Sequence, residues 1–365
     1  MNTANDRVGH RAVHRVGIAG SGAIGLASAA WLCHAGHRVT LWPPRSAAVL
    51  ALRSAPLRAV GVLDVSVQVD VVETPAELCG AADVIVIAVP VNGHKAVMDA
   101  LLPGLRDGQV VIVSSMASLS ALYLFEAAQR QGRNITVGSF GTTVLTARRE
   151  SPTHVRVMTR RESLGVSALP SSRTAAIVAL CSDLFGPGFT AQANTLASAL
   201  SNINPAAHGP LALFNWTRIE RAEAWPQYHY MTPRVAAVIE RLEAERQALA
   251  RAFGIQVRSI ERHFAQSFGT QSERLADIAA ELHAKRGGPP GPTQIDTRFF
   301  HEDMPYGLVF CAALGRIACV PMPATQTLID AASLIAGQDF AQGNDLLAPL
   351  GLAQETVAGL LQRVN

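Results

Sequence analysis

The sequence is short of charge. Only 16% of its 365 residues are Asp, Glu, Lys or Arg, against the roughly 25% usual in globular domains. The two signs nearly balance, with a formal net charge of +3, and the basic residues are scattered along the chain. That argues against a nucleic-acid partner, which needs a clustered basic face. The tightest basic groups, Arg148-Arg149 and Arg160-Arg161, read as solvated surface pairs. Five cysteines (Cys33, Cys79, Cys181, Cys311 and Cys319) form no CxxC and no disulfide-scaffold spacing. They read as small buried residues in a reducing compartment. No apolar run approaches the ~20 residues that cross a bilayer, and the first fifteen residues hold no signal-peptide core. The expectation is a soluble, cytoplasmic protein with no membrane contact.

What the chain has in quantity is apolar material, 49% of its residues. Its length exceeds what one hydrophobic core supports, so two domains are expected. Residues 1–14 read as a flexible extension, 15–198 as a dinucleotide-binding domain and 199–365 as a helical substrate domain.

The first of these domains starts with a strand-like run, Val16-Gly17-Ile18-Ala19, that leads into Gly20-Ser21-Gly22-Ala23-Ile24-Gly25. An Ala-rich helical stretch follows, stopping near Gly36, and a second strand runs from His37 to Trp42. This is a β-α-β unit with GxGxxG at its first turn, the context that makes the motif informative. Gly20 permits the tight turn, Gly22 lets backbone N–H groups approach a pyrophosphate, and Gly25 lets helix and strand pack closely. The helix start then offers unpaired N–H donors and a partial positive charge to the anion. The predicted ligand is a nicotinamide dinucleotide.

Enzymes that prefer NAD place a carboxylate about twenty residues past the first glycine, on the ribose 2′-OH. Here that stretch reads Trp42-Pro43-Pro44-Arg45-Ser46, with no carboxylate. Arg45 and Ser46 could instead receive a 2′-phosphate, which favours NADP over NAD. Further strands are predicted at Val65–Val72, Asp83–Val89 and Gln109–Val113. The first alternates like an edge strand, and the others are continuous like buried parallel strands. Val89 and Asn92, at the end of the Asp83 strand, are candidate cofactor contacts; His94 is a weaker one. Pieces at Ile135–Val137 and Val155–Met158 suggest that the sheet continues past residue 150. The fold class expected is a doubly wound, mostly parallel α/β domain followed by an all-α domain.

After Asn194 the pattern turns helical. The clearest helix is Pro233–Phe253, with Thr232 placed to cap it and Gly254 to end it. The run Gly287-Gly288-Pro289-Pro290-Gly291-Pro292 reads as a flexible loop.

The second half carries a resemblance. Asn204-Pro205-x-x-His208 followed by Asn215, Tyr230-Met231-Thr232-Pro233, and Arg298 to Leu308 resemble the motifs of the opine dehydrogenase family in order. The last is similar to that family's Arg-Tyr-x-x-Glu-Asp-x-Pro-x-Gly-Leu. The resemblance implies reductive condensation: an amino acid and an α-keto acid form an imine, which NAD(P)H reduces. It also implies that His208 and Asp303 are the catalytic pair. The residue types agree with that role, because hydride transfer needs a proton donor and histidine titrates closest to neutrality. Asn204, Asn215 and Arg298 are candidate substrate contacts, with Asn215 expected two turns below His208 on one helix face. Arg298 could equally pair with Glu302. No metal site is expected, and a homodimer is the default assembly. The rival readings are a ketone reductase of the ketopantoate or β-hydroxyacid type and a non-catalytic NADP(H) sensor.

Overall fold

A computed structural model describes residues 12–44 and 47–365. Most of the expected N-terminal extension, and both Arg45 and Ser46, lie outside the described residues. The strands are β1 (Arg15–Ala19), β2 (Arg38–Trp42), β3 (Leu57–Gly61), β4 (Val65–Val67), β5 (Asp70–Val71) and β6 (Val84–Ile87). After them come β7 (Val110–Val113), β8 (Thr136–Ser139), β9 (Leu145–Ser151), β10 (His154–Arg160), β11 (Leu164–Leu169) and β12 (Phe189–Ala191). The helices among them are α1 (Ala23–His34), α2 (Ala47–Ser54), α3 (Pro75–Ala81), α4 (His94–Leu101), α5 (Ser120–Arg130) and α6 (Thr174–Phe185).

Eight strands form one sheet in the order β12-β11-β8-β7-β6-β1-β2-β5. Its pairings are parallel except β11 against β8. The sequence dictates this through β6 and β7, VIVI and VVIV, whose residues are almost wholly buried. Strands covered on both faces by helices have no polar side to offer. The chain leaves β1 toward β2 on one side and returns at β6 on the other, so a crevice opens at the end of β1.

A second sheet, β4-β3-β10-β9, packs on the outer side of α1. Helix α1 is therefore apolar nearly all round, with Leu26, Ala27, Ala29, Ala30 and Leu32 buried. Two sequence expectations change here. The Val65–Val72 run is divided, β4 joining the second sheet and β5 edging the first. The Val155–Met158 piece belongs to β10 of the second sheet; the first sheet continues through β11 instead.

Asn194 caps the first helix of the other lobe, its side chain accepting from Ala197 N–H at 2.9 Å. That lobe holds α7 (Thr195–Leu200), α8 (Asn204–Leu213), α9 (Trp216–Glu220), α10 (Pro233–Ala252), α11 (Ile260–Phe268) and α12 (Leu275–Arg286). It continues with α13 (Arg298–His301), a π-helix over Asp303–Val309, α14 (Phe310–Ala318), α15 (Pro323–Ala336) and α16 (Val357–Arg363). Helix α10 matches the predicted span and Gly254 ends it at φ +67°, but Thr232 makes no side-chain cap bond. The glycine-proline run is pinned to the Trp225–Tyr230 stretch. Gly291 N–H donates to the Trp225 carbonyl at 2.7 Å, and the Trp225 indole to the Pro292 carbonyl at 2.9 Å. Helix α16 returns to the first lobe, where Arg363 grips Glu126 of α5 through two bonds of 2.7 and 2.9 Å.

Candidate active site

The glycine loop joins β1 to α1 at the crevice. Gly20 sits at φ +129°, and a Cβ there would lie 2.5 Å from the carbonyl oxygen of Ala88. No other residue fits that turn without displacing backbone. Val89 packs directly against Gly20, and Gly25 presses on the Gly20 carbonyl. Gly22 differs: nothing lies within 4 Å of its would-be Cβ, and no side chain caps α1 behind it. The space above Gly22, Ala23 and Ile24 is thus open to an anion at a bare helix start. The loop fits a dinucleotide's pyrophosphate.

His208 lies within α8, whose first turn takes Pro205 without losing a helical hydrogen bond and whose interior tolerates Pro210. Asp303 begins the π-helix, a rare element frequent at functional sites. The two segments meet because Gly307 has no side chain where the Pro205 ring lies. His208 Nδ1 is 2.8 Å from Asp303 Oδ2, with side-chain exposures of only 14% and 11%. A carboxylate can only accept, so Nδ1 is the donor in this contact. Phe299 stacks on the imidazole, ring centroids 4.0 Å apart and 9° from parallel, which restricts the ring's rotation.

The sequence did not single out the neighbours that tie this dyad to the first lobe. Glu302 accepts from the backbone N–H of Val91, just past β6, at 3.4 Å. Burial, and then the Asp303 charge, push its pKa up to about 6. Ser118, wholly buried in the turn after β7, donates to the Tyr306 carbonyl at 2.7 Å. Asn344 donates to both Ser118 and the Pro305 carbonyl, at 2.8 and 2.9 Å. The π-helix is thereby fastened, just before its start and at its middle, to turns that follow strands β6 and β7. A small cavity opens beside it between the lobes, lined by Ser118, Asn202, Pro205, Arg246, Tyr306 and Thr325 among others.

Other sequence candidates fall in different places. Asn92 is exposed on a short 3-10 turn. His94 is fully buried, bonded to Ser120 Oγ at 2.9 Å and the Val89 carbonyl at 3.1 Å. Burial pushes its pKa down to about 4, so it braces the wall behind Val89. Asn204 stands one turn before His208, half-buried. For Asn215 the regular helix that the sequence reading assumed is interrupted, because α8 stops at Leu213. Asn215 is buried and donates to the Leu211 carbonyl at 2.9 Å. Arg298 is exposed; its charge lowers the Glu302 pKa, and it makes no close ion pair among the described residues. Among the described residues, no three His, Cys, Asp or Glu side chains gather as metal ligands.

Comparison with known proteins bears on both lobes. Residues 191–336 match the family model described as NAD/NADP octopine/nopaline dehydrogenase, alpha-helical domain, and residues 16–170 match that of ketopantoate reductase PanE/ApbA. An opine dehydrogenase from Arthrobacter sp. (strain 1C) is 29% identical over 286 residues, 78% of this chain and 79% of that protein. The second lobe is similar to the helical domain of the octopine/nopaline dehydrogenases. Solved structures carry the same fold. An octopine dehydrogenase in complex with NADH and agmatine superposes with a TM-score of 0.79 at 17% identity, covering 95% of this chain and 97% of that one. A yersinopine dehydrogenase gives 0.74 at 18%, covering 95% and 99%. A ketopantoate reductase from Ralstonia eutropha JMP134 gives 0.62 at 21%, covering 88% and 98%. The helical-domain match spans His208 and Asp303, and the other spans the glycine loop.

Proposed function

We propose that the protein is an NAD(P)H-dependent dehydrogenase of the opine type, with residues 15–198 holding the cofactor and 199–365 the substrates. It condenses the amine of an amino acid with the carbonyl of an α-keto acid, loses water, and reduces the resulting imine to a secondary amine. The observation that carries this reading is the 2.8 Å contact between His208 Nδ1 and Asp303 Oδ2, fastened to turns of the lobe that bears the glycine loop.

The cofactor's contribution, when bound, is a hydride. Gly20, Ser21, Gly22, Ala23, Ile24 and Gly25 would hold its phosphates, with Val89 beside them. NADPH is the preferred form, because β2 runs out as Trp42-Pro43-Pro44 with no carboxylate and Arg45 and Ser46 come next in the chain. His208 supplies the proton the reduction needs and takes one up in the reverse direction, through Nε2. Asp303 keeps the imidazole in the useful tautomer and stabilises its charged form, the division of labour seen in triad enzymes. Phe299 holds the ring plane. Asn204, and Arg298 with no close ion pair among the described residues, are available to substrate.

The match of residues 16–170 to the ketopantoate reductase description favours one rival, direct reduction of a ketone. The test is a screen of amino acids against keto acids with NADPH and NADH in parallel, each partner omitted in turn. Imine reduction requires both organic partners, whereas a ketone reductase turns over without the amine. His208→Ala addresses a sensor role: it removes turnover from an enzyme and leaves a sensor's cofactor binding and signalling intact.

A further inference from the structure

The pair Arg160-Arg161 is not solvated as its sequence suggested. Arg160 turns onto the backbone, donating to the carbonyls of Phe185 and Pro187. Arg161 follows β10 and is only partly exposed. Its Nε donates to the Thr143 carbonyl at 2.8 Å, and its Nη2 to the Thr142 hydroxyl at 3.4 Å. Both acceptors are neutral, and among the described residues nothing accepts from the Nη1 edge of the fork. Burial alone moves its pKa, downward, with no carboxylate near enough to oppose it among the described residues.

The surroundings place this guanidinium at the boundary between the lobes. Gly141, just before the threonines, lies against the Ser198 carbonyl and Ser201 hydroxyl, in the stretch that leads into α8 and His208. From the other side Arg161 acts on His263 of α11. Burial first, then the charges of Arg161, Arg258 and Arg246, push that imidazole down to about 4. Arg246 is paired with Glu243 at 2.8 Å, and Arg258 is exposed. Arg161 is thus a partly buried cation whose charge is felt by His263, and no carboxylate among the described residues answers it.

Withdrawing a guanidinium from water without an anion is costly, and arginine's fork matches a carboxylate. We infer that Arg161 is the anchor for a carboxylate of a small-molecule substrate at the turn between β8 and β9. The inference rests on the dehydrogenase reading and narrows it. At least one reactant must be an anion that presents its carboxylate there, and Arg161 selects it over an uncharged analogue.

The experiment loads the full-length protein with NADPH and titrates two probe pairs, reading the fluorescence of the bound cofactor. One pair is pyruvate and methyl pyruvate; the other is L-arginine and agmatine, which lacks the carboxylate. Wild type is expected to prefer the acid in at least one pair by on the order of 10²-fold, the scale of a lost charge-assisted contact. In Arg161→Gln that preference falls to within about threefold, while the affinity for NADPH is unchanged. Should the glutamine variant fail to fold by circular dichroism, Arg161→Lys carries the measurement, keeping the charge but losing the fork and about a tenth of the preference remaining. Acid preference that survives undiminished in the variants, or its absence from wild type, overturns the assignment of Arg161 alone. Failure of wild type to bind NADPH overturns the dehydrogenase reading and this inference with it.

Discussion

The Pro205 ring occupies the space in which any side chain on Gly307 would stand. That single absence lets α8 and the π-helix approach closely enough for His208 to reach Asp303. Gly307→Ala is expected to cost about 1–3 kcal/mol of stability, the usual range for overpacking a close contact. It should also lower kcat more than it raises KM, because the dyad spreads while the cofactor loop is untouched. Urea denaturation and steady-state kinetics on one preparation read both effects.

Asp303→Asn keeps the shape of the side chain and removes its charge. The amide can present its N–H to the ring and so favour the wrong tautomer. Turnover should fall on the order of 10²–10⁴-fold, with NADPH affinity within about twofold of wild type. A loss confined to KM would contradict the role given to Asp303.

Gly22→Asp separates folding from cofactor binding. Gly22 caps α1 at φ −72° with open space around it, and aspartate is among the favoured capping residues. Stability should hold or rise slightly. A carboxylate at the pyrophosphate position should nonetheless weaken NADPH binding by about 10²-fold or more. Calorimetric titration beside a thermal melt checks both halves.

Much of this was legible before any coordinates. The glycine spacing, the buried strands β6 and β7, and the order of the helical motifs each depend on local chemistry that a sequence displays. The rest depended on long-range packing. Strand β9, LTARRES, has no apolar rhythm and becomes a strand because β10 pairs with it over α1. The Val65–Val72 run alternates like one strand, yet its halves serve different sheets. Arg161 looked like surface because its bonds run to Thr142 and Thr143, which its neighbours in sequence do not announce. The two-turn step from His208 to Asn215 assumed a regular helix because nothing local announces that α8 stops two residues earlier.

Glu302 predicts a pH dependence with a definite sign. Its pKa is raised from 4.5 to about 6, so the folded state binds that proton more tightly than the unfolded chain. Its contribution to stability is complete below the unfolded value and is lost as pH rises through about 6. Glutamine stays neutral throughout. The stability of Glu302→Gln relative to wild type should therefore improve by up to about 2 kcal/mol between pH 4 and pH 7. Urea midpoints at the two pH values test this, and a difference that does not change would refute it.

The most direct measurement uses NADPH deuterated at C4 of the nicotinamide, supplied with an amino acid and an α-keto acid, and reads the product by mass spectrometry. The account predicts one secondary amine whose mass is the sum of the two reactants less water, plus one deuterium and one hydrogen, with the deuterium on the carbon bonded to nitrogen. A deuterated 2-hydroxy acid, formed as readily without the amino acid, would contradict it.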